Sequence, residues 1–178
     1  LSIPASYDLP NNQYSIKLDN FKNGKSMAVK MKTTVTLSVD ADCPSHSLSQ
    51  VATRDLVQNI DEPIERGGTN TGFTPTDTAL SALAGCTNVI AHKCAAKLGV
   101  DIGHLKISVK CSFNRLGVTL SEEIDLPFEV IDLQVVSDGS ASQSQLEQVA
   151  NDVAKYCPLA KLFRQAGTEI KEDWKKSI

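Results

Sequence analysis

Residues 27–39, MAVKMKTTVTLSV, alternate apolar and polar side chains and are rich in β-branched types; the pattern predicts a strand with one buried face, broken near Lys32. The same period-2 signal recurs more briefly at 13–18. It returns over 104–114, where Leu105, Ile107, Val109, Cys111 and Phe113 share one face. A weaker strand is expected over 48–60. Two more fall over 122–136, where Pro127 marks an edge or bulge, and over 167–174. Helical spacing replaces alternation over 140–156, with Leu146, Val149, Ala150 and Val153 on one face and Ser140 or Ser142 as cap. A short helix follows over 159–165. Asn23-Gly24 is a hairpin signal, and 40–47 and 61–74 read as loops, the second holding Pro63, Gly67, Gly68 and Gly72.

One stretch fits neither pattern. Residues 74–100, TPTDTALSALAGCTNVIAHKCAAKLGV, are apolar on nearly every helical face, so this helix is expected to be buried on nearly every face. Thr74 or Thr76 suits its N-cap, Pro75 its first turn, Asp77 the positive end of its dipole, and Gly99 its end. Strands, helix, strands, helix, strand is the order of an α+β domain with mainly antiparallel sheet. An N-terminal arm over 1–26 precedes a single domain over 27–178.

Composition narrows the function classes. The chain has 178 residues, 41% apolar and 22% charged, with 18 basic and 21 acidic side chains and a net charge of −3. No basic block points to nucleic acid. No apolar run is clean enough to span a bilayer, since Asp77, His92, Lys93 and Lys97 interrupt the one long helix. The first residues lack the pattern of a secretory signal. No phosphate-binding, dinucleotide or zinc-protease motif occurs.

The chemistry is carried by cysteine. Cys43, Cys86, Cys94, Cys111 and Cys157 are odd in number and scattered, unlike a secreted disulfide scaffold, and point to a reducing, cytoplasmic compartment. Cys43 and His46 do not make a metal site alone, and no cofactor is expected. Pro158 disfavours helical geometry at Cys157, so the helix from 140 should break there and Cys157 should cap the next one. A thiol at an N-cap faces unpaired N–H groups and the positive dipole end, both of which favour thiolate; the alternative is a half-buried thiol at a helix junction. Cys86, in mid-helix, is either packing or a protected nucleophile needing a basic partner, most plausibly an arginine. Four arginines exist: Arg54, Arg66, Arg115 and Arg164.

Two segments together resemble the OsmC/Ohr superfamily of osmotically inducible and organic hydroperoxide resistance proteins. The first runs Asp61-Glu62-Pro63, Gly67-Gly68, Asn70-Thr71-Gly72-Phe73-Thr74-Pro75-Thr76-Asp77 and on through Ala79-Leu80-Ser81-Ala82-Leu83-Ala84-Gly85-Cys86-Thr87; the second is Tyr156-Cys157-Pro158-Leu159. The resemblance covers roughly 27–174. It implies antiparallel sheets wrapped around a long buried central helix in an intertwined homodimer. It also implies a thiol peroxidase acting on organic hydroperoxides and hydrogen peroxide, with Cys86 peroxidatic and Cys157 resolving, regenerated by a dithiol reductant of lipoyl type or another thiol. Where Ohr-type members have a glutamate that orients a catalytic arginine, this chain has Thr76. Asp77, one residue on and about 100° round the helix, is the candidate carboxylate; Arg54, expected on a strand, is the preferred thiolate partner, then Arg66. The alternative is an OsmC-like dimer that binds a small apolar ligand or senses redox state without efficient turnover.

Overall fold

The computed structural model describes residues 33–177. The chain divides into two units, Leu1–Leu37 and Ser38–Ile178. The expectations for 13–18, Asn23-Gly24 and 27–32 lie outside the described residues; residues 33–37 carry no regular secondary structure.

The second unit holds two three-stranded sheets and three helices. Strands β1 (Asp40–Asp42), β2 (Ser49–Thr53) and β3 (Leu56–Ile60) form an antiparallel meander. Two expectations are revised here. The alternating stretch does not form its strand through 38–39; pairing begins at Asp40, inside the expected loop. The run 48–60 is a tight hairpin rather than one strand, turning at Arg54, whose φ of 56° lies in the left-handed region. Leu56 and Val57 on β3 are 55% and 70% exposed, so this sheet has apolar side chains that the described residues leave uncovered.

Helix α1 (Pro75–Leu98) begins and ends as its sequence dictates. The Thr74 hydroxyl accepts from the Asp77 N–H, Pro75 occupies the first turn, and Gly99 stops the helix at φ 68°, a left-handed C-cap conformation that glycine adopts without steric cost. Strands β4 (Leu105–Phe113) and β5 (Phe128–Ser137) pair antiparallel with a register irregularity at Ser112–Phe113. After β5 the chain crosses over through α2 (Gln143–Tyr156) and α3 (Pro158–Gln165) and returns as β6 (Glu169–Lys176), parallel to β5. Helix α2 starts with a capping box, Ser142 with Gln145.

The core lies between the β4–β5–β6 sheet and the three helices. Alternate residues of β5, Ile131, Leu133 and Val135, are sealed against Leu146, Val149 and Val153 of α2 and Leu83 and Ala91 of α1. Each such aliphatic side chain contributes roughly 1.5–3 kcal/mol over its exposed state. Phe128 links the sheet to α3 through an edge-on contact with Phe163 at 5.3 Å.

The described residues do not bury helix α1 all round. Leu83, Thr87, Ala91, Cys94 and Ala95 face the core, while Ser81, Ala82, Gly85, Asn88 and Val89 face outward. A Cβ built on Gly85 would meet nothing within 4 Å. This outer face carries no charge and is made largely of small residues, which is what made the sequence read as a helix covered on every side.

Candidate active site

The two cysteines singled out by the motifs meet. Cys86 projects from the middle of α1, and Cys157 sits between α2 and α3; the Cys157 thiol donates to the Cys86 sulfur at 3.2 Å. Pro158 sets the junction. It ends α2 one residue earlier, at Tyr156, and enters the first turn of α3, leaving Cys157 in extended geometry at φ −70°, ψ 112°. The Cys157 sulfur also accepts from the Ala160 N–H at 3.4 Å, so it is the side-chain cap of α3.

The cap was expected to lower the Cys157 pKa. The structure reverses that sign. Cys157 is fully buried, and desolvation of the thiolate is the largest influence on it; the Ala160 N–H pulls the other way, and the adjacent Cys86 thiol adds a further upward push, taking the group to about 11. Cys157 is therefore a protonated hydrogen-bond donor to Cys86, and Cys86, half-buried, is the sulfur that receives the proton contact.

The glycine-rich loop that leads into α1 is organised by Asp61. Its buried carboxylate accepts from the N–H groups of Glu62, Thr69 and Thr71 and from the Thr69 and Thr71 hydroxyls, at 2.6–3.1 Å. The Thr69 hydroxyl above all, then the backbone amides, holds the group well below the usual carboxylate range against the opposing effect of burial. Gly68 packs so tightly that an added Cβ would lie 1.8 Å from the Glu62 carbonyl oxygen. The sequence showed the glycines but not the centre they surround; a buried acid followed by a Thr-x-Thr pair was the available signal.

The remaining candidates do not gather at the sulfurs. Arg54 lies at the β2–β3 turn rather than on a strand. Arg66 closes a short 3₁₀ turn, Ile64–Arg66, and pairs with Glu62 at 3.0 Å. Arg164 pairs with Glu172. Among the described residues no arginine hydrogen-bonds either sulfur of the pair. Asp77 accepts from the Thr74 hydroxyl at 2.6 Å, a first-turn capping role, and has no arginine partner among the described residues. Cys94 is buried in the core and Cys111 half-buried on β4; desolvation, the leading influence on each, pushes both thiols up. Next to Cys86, the Thr87 hydroxyl is buried with no hydrogen-bond partner among the described residues, a position that sequence pattern alone does not mark.

The family model for OsmC-like protein matches residues 68–173, from Gly68 in the glycine-rich loop to Asp173 within the last strand. This chain belongs to the OsmC-like family. None of the curated proteins matches it. Among solved structures it is similar to an OsmC-like protein from Mycoplasma pneumoniae, at 19% identity and a TM-score of 0.69, covering 81% of this chain and 99% of that one. It is also similar to an organic hydroperoxide resistance protein from Legionella pneumophila, at 15% identity and TM-score 0.60, covering 83% and 100%. A third likeness is to the organic hydroperoxide resistance protein OhrB of Bacillus subtilis, at 17% identity and TM-score 0.56, covering 79% and 98%. At such identities the likeness is one of fold. The OsmC-like fold is thus an α+β arrangement in which the long helix and the crossover helices bring Cys86 and Cys157 together.

Proposed function

We propose that this OsmC-like protein is a dithiol peroxidase acting on organic hydroperoxides, with Cys86 as the peroxidatic and Cys157 as the resolving cysteine. The observation that carries this reading is the 3.2 Å contact between the two sulfurs. Cys86, as thiolate, attacks the outer peroxide oxygen; the O–O bond breaks, the alkoxide leaves and takes a proton as alcohol, and the sulfur becomes a sulfenic acid. The Cys157 sulfur then attacks the sulfenic sulfur, a disulfide forms and water leaves, carrying the sulfenate oxygen with the Cys157 proton. A dithiol reductant returns both thiols by exchange. Burial keeps Cys157 protonated until that step, so its proton is available to the departing oxygen.

Activation of Cys86 requires a cation, and the described residues place none within hydrogen-bond reach of the sulfur. Arg54 and Arg66 are the candidates, brought to Cys86 by a second copy of the chain or by movement on peroxide binding, and Asp77 is the candidate to orient one of them. A homodimer fits the outward face of α1 and the uncovered apolar residues of β3. No described helix is long and apolar enough to cross a membrane; a reducing, cytoplasmic setting fits five unpaired cysteines.

The test is mass mapping after one equivalent of cumene hydroperoxide, followed by steady-state peroxide consumption with a dithiol. A Cys86–Cys157 disulfide and turnover lost in Cys86→Ser are expected. Two free thiols after peroxide would overturn the reading. The absence of an arginine at the sulfurs favours a second reading, a redox sensor, which predicts the same disulfide with no sustained turnover.

A further inference from the structure

A cavity of about 670 Å³ lies between the start of α1 and the 114–127 connection that joins β4 to β5. Its volume falls within the roughly 300–1,000 Å³ of small-molecule sites. The walls are apolar, with Leu80 of α1, Phe113 and Phe128 of the sheet and Val118 of the connection. Neither Cys86 nor Cys157 lines it.

The four charged side chains that line this cavity, Glu62, Asp77, Arg66 and Arg115, differ in their partners. Arg66 is neutralised by Glu62 at 3.0 Å. Asp77 is bound by the Thr74 hydroxyl at 2.6 Å and lies at the positive end of α1. Arg115 also lines the cavity, yet among the described residues its guanidinium has no ion pair and no hydrogen bond, so of the two lining arginines it is the one left open to an anion. The connection that presents Arg115 is tied mainly to itself. The N–H groups of Thr119, Leu120 and Ser121 donate to the carbonyls of Arg115, Gly117 and Leu116, at 2.9–3.1 Å. Val118 and Thr119 thus close one wall as a preformed turn.

We propose that this cavity binds a straight-chain monocarboxylate, with its alkyl chain along Leu80, Phe113, Phe128 and Val118 and its carboxylate on Arg115. A guanidinium matches a carboxylate in a two-point, charge-assisted contact, whereas an alcohol of equal chain length gains only the apolar part. The proposed contacts involve neither sulfur, although Arg66 and Asp77 in the cavity wall are also the side chains proposed above to serve Cys86.

Calorimetric titration of the full chain with decanoate and with decanol, both below their aggregation limits, tests this. Saturable decanoate binding is expected, weakened roughly tenfold or more in Arg115→Gln, with decanol binding at least as many fold weaker and indifferent to that substitution. Val118→Trp, which fills the cavity, should remove decanoate binding while the circular-dichroism melt shows an intact fold. Absence of saturable decanoate binding, as when a second copy of the chain covers the cavity, overturns the proposal. So do decanol binding equal to decanoate and decanoate binding unchanged in Arg115→Gln.

Discussion

The Ala160 N–H points at the Cys157 sulfur from 3.4 Å, yet Cys157 holds its proton more firmly than a free thiol. Two effects compete there. A helix N-terminus offers a partial positive charge and an open donor, but the sulfur is fully buried, and stripping water from a thiolate costs more than one amide returns. Burial wins.

Alkylation should therefore follow exposure and ionisation together. With iodoacetamide at pH 8, peptide mapping is expected to find Cys43, which is exposed, modified first, and Cys157 last. Equal rates at the two positions would contradict the burial argument.

The same shift has a sign in stability. Cys157 rises from the ordinary thiol value of 9.0 to about 11 in the fold. Its contribution is fully present below pH 9 and is lost as pH climbs toward 11, because the unfolded chain releases the proton first. Cys94 and Cys111 act in the same direction. Urea midpoints in the presence of reductant should fall across that window, and the fall should be shallower in Cys157→Ser.

Removal of the second thiol should stop the cycle midway. In Cys157→Ser one equivalent of hydroperoxide is expected to leave Cys86 as a sulfenic acid, trapped by dimedone and detected by mass. Dithiol-supported turnover should drop to background while the first, peroxide-consuming step persists. Excess peroxide should carry Cys86 on to the irreversible sulfinic state.

Gly85 separates a monomer from a dimer. In an isolated chain its site is open, so Gly85→Ala would stabilise α1 by about 0.5–1 kcal/mol. If a second copy packs its own helix there, the added methyl, and still more Gly85→Leu, should lower both the melting temperature and the dimer fraction in sedimentation. The dimer reading predicts the second outcome.

Asp61 should matter out of proportion to its distance from the sulfurs. Asp61→Ala leaves the Glu62, Thr69 and Thr71 amides without their acceptor, and a fall in melting temperature on the order of 5 °C or more is expected. Because the carboxyl is held below its ordinary value of 3.8, its contribution is present above that pH and drains away as the pH falls further. Asp61→Asn should flatten the acid limb of the stability profile.

Helix α1 was legible almost residue by residue: a cap at Thr74 or Thr76, of which the structure uses Thr74, proline in the first turn, glycine at the end. The Cys157 junction was equally legible, because Pro158 constrains both the residue before it and the helix after it. What escaped depended on partners far away in sequence. Alternation over 33–39 marks an extended preference, but a strand exists only where another strand supplies hydrogen bonds, and Val35, Leu37 and Val39 remain exposed. The β2–β3 turn hid because Arg54-Asp55 lacks the glycine or asparagine that usually marks left-handed geometry. The Cys157 ionisation hid because burial, unlike capping, cannot be read from neighbours along the chain.

Cys86 and Cys157 are separated by 71 positions, and the segment between them contains β4, β5 and α2. A bond between them would close a loop spanning about two-fifths of the chain. By chain-entropy arithmetic that closure restricts the denatured ensemble by about 4 kcal/mol. The oxidised protein is therefore expected to be the harder one to unfold, and its melting point becomes a readout of oxidation state that needs no chemical label. A nascent or partly unfolded chain, whose sulfurs wander apart, forms that loop far less readily, so disulfide chemistry waits for the crossover helices to dock.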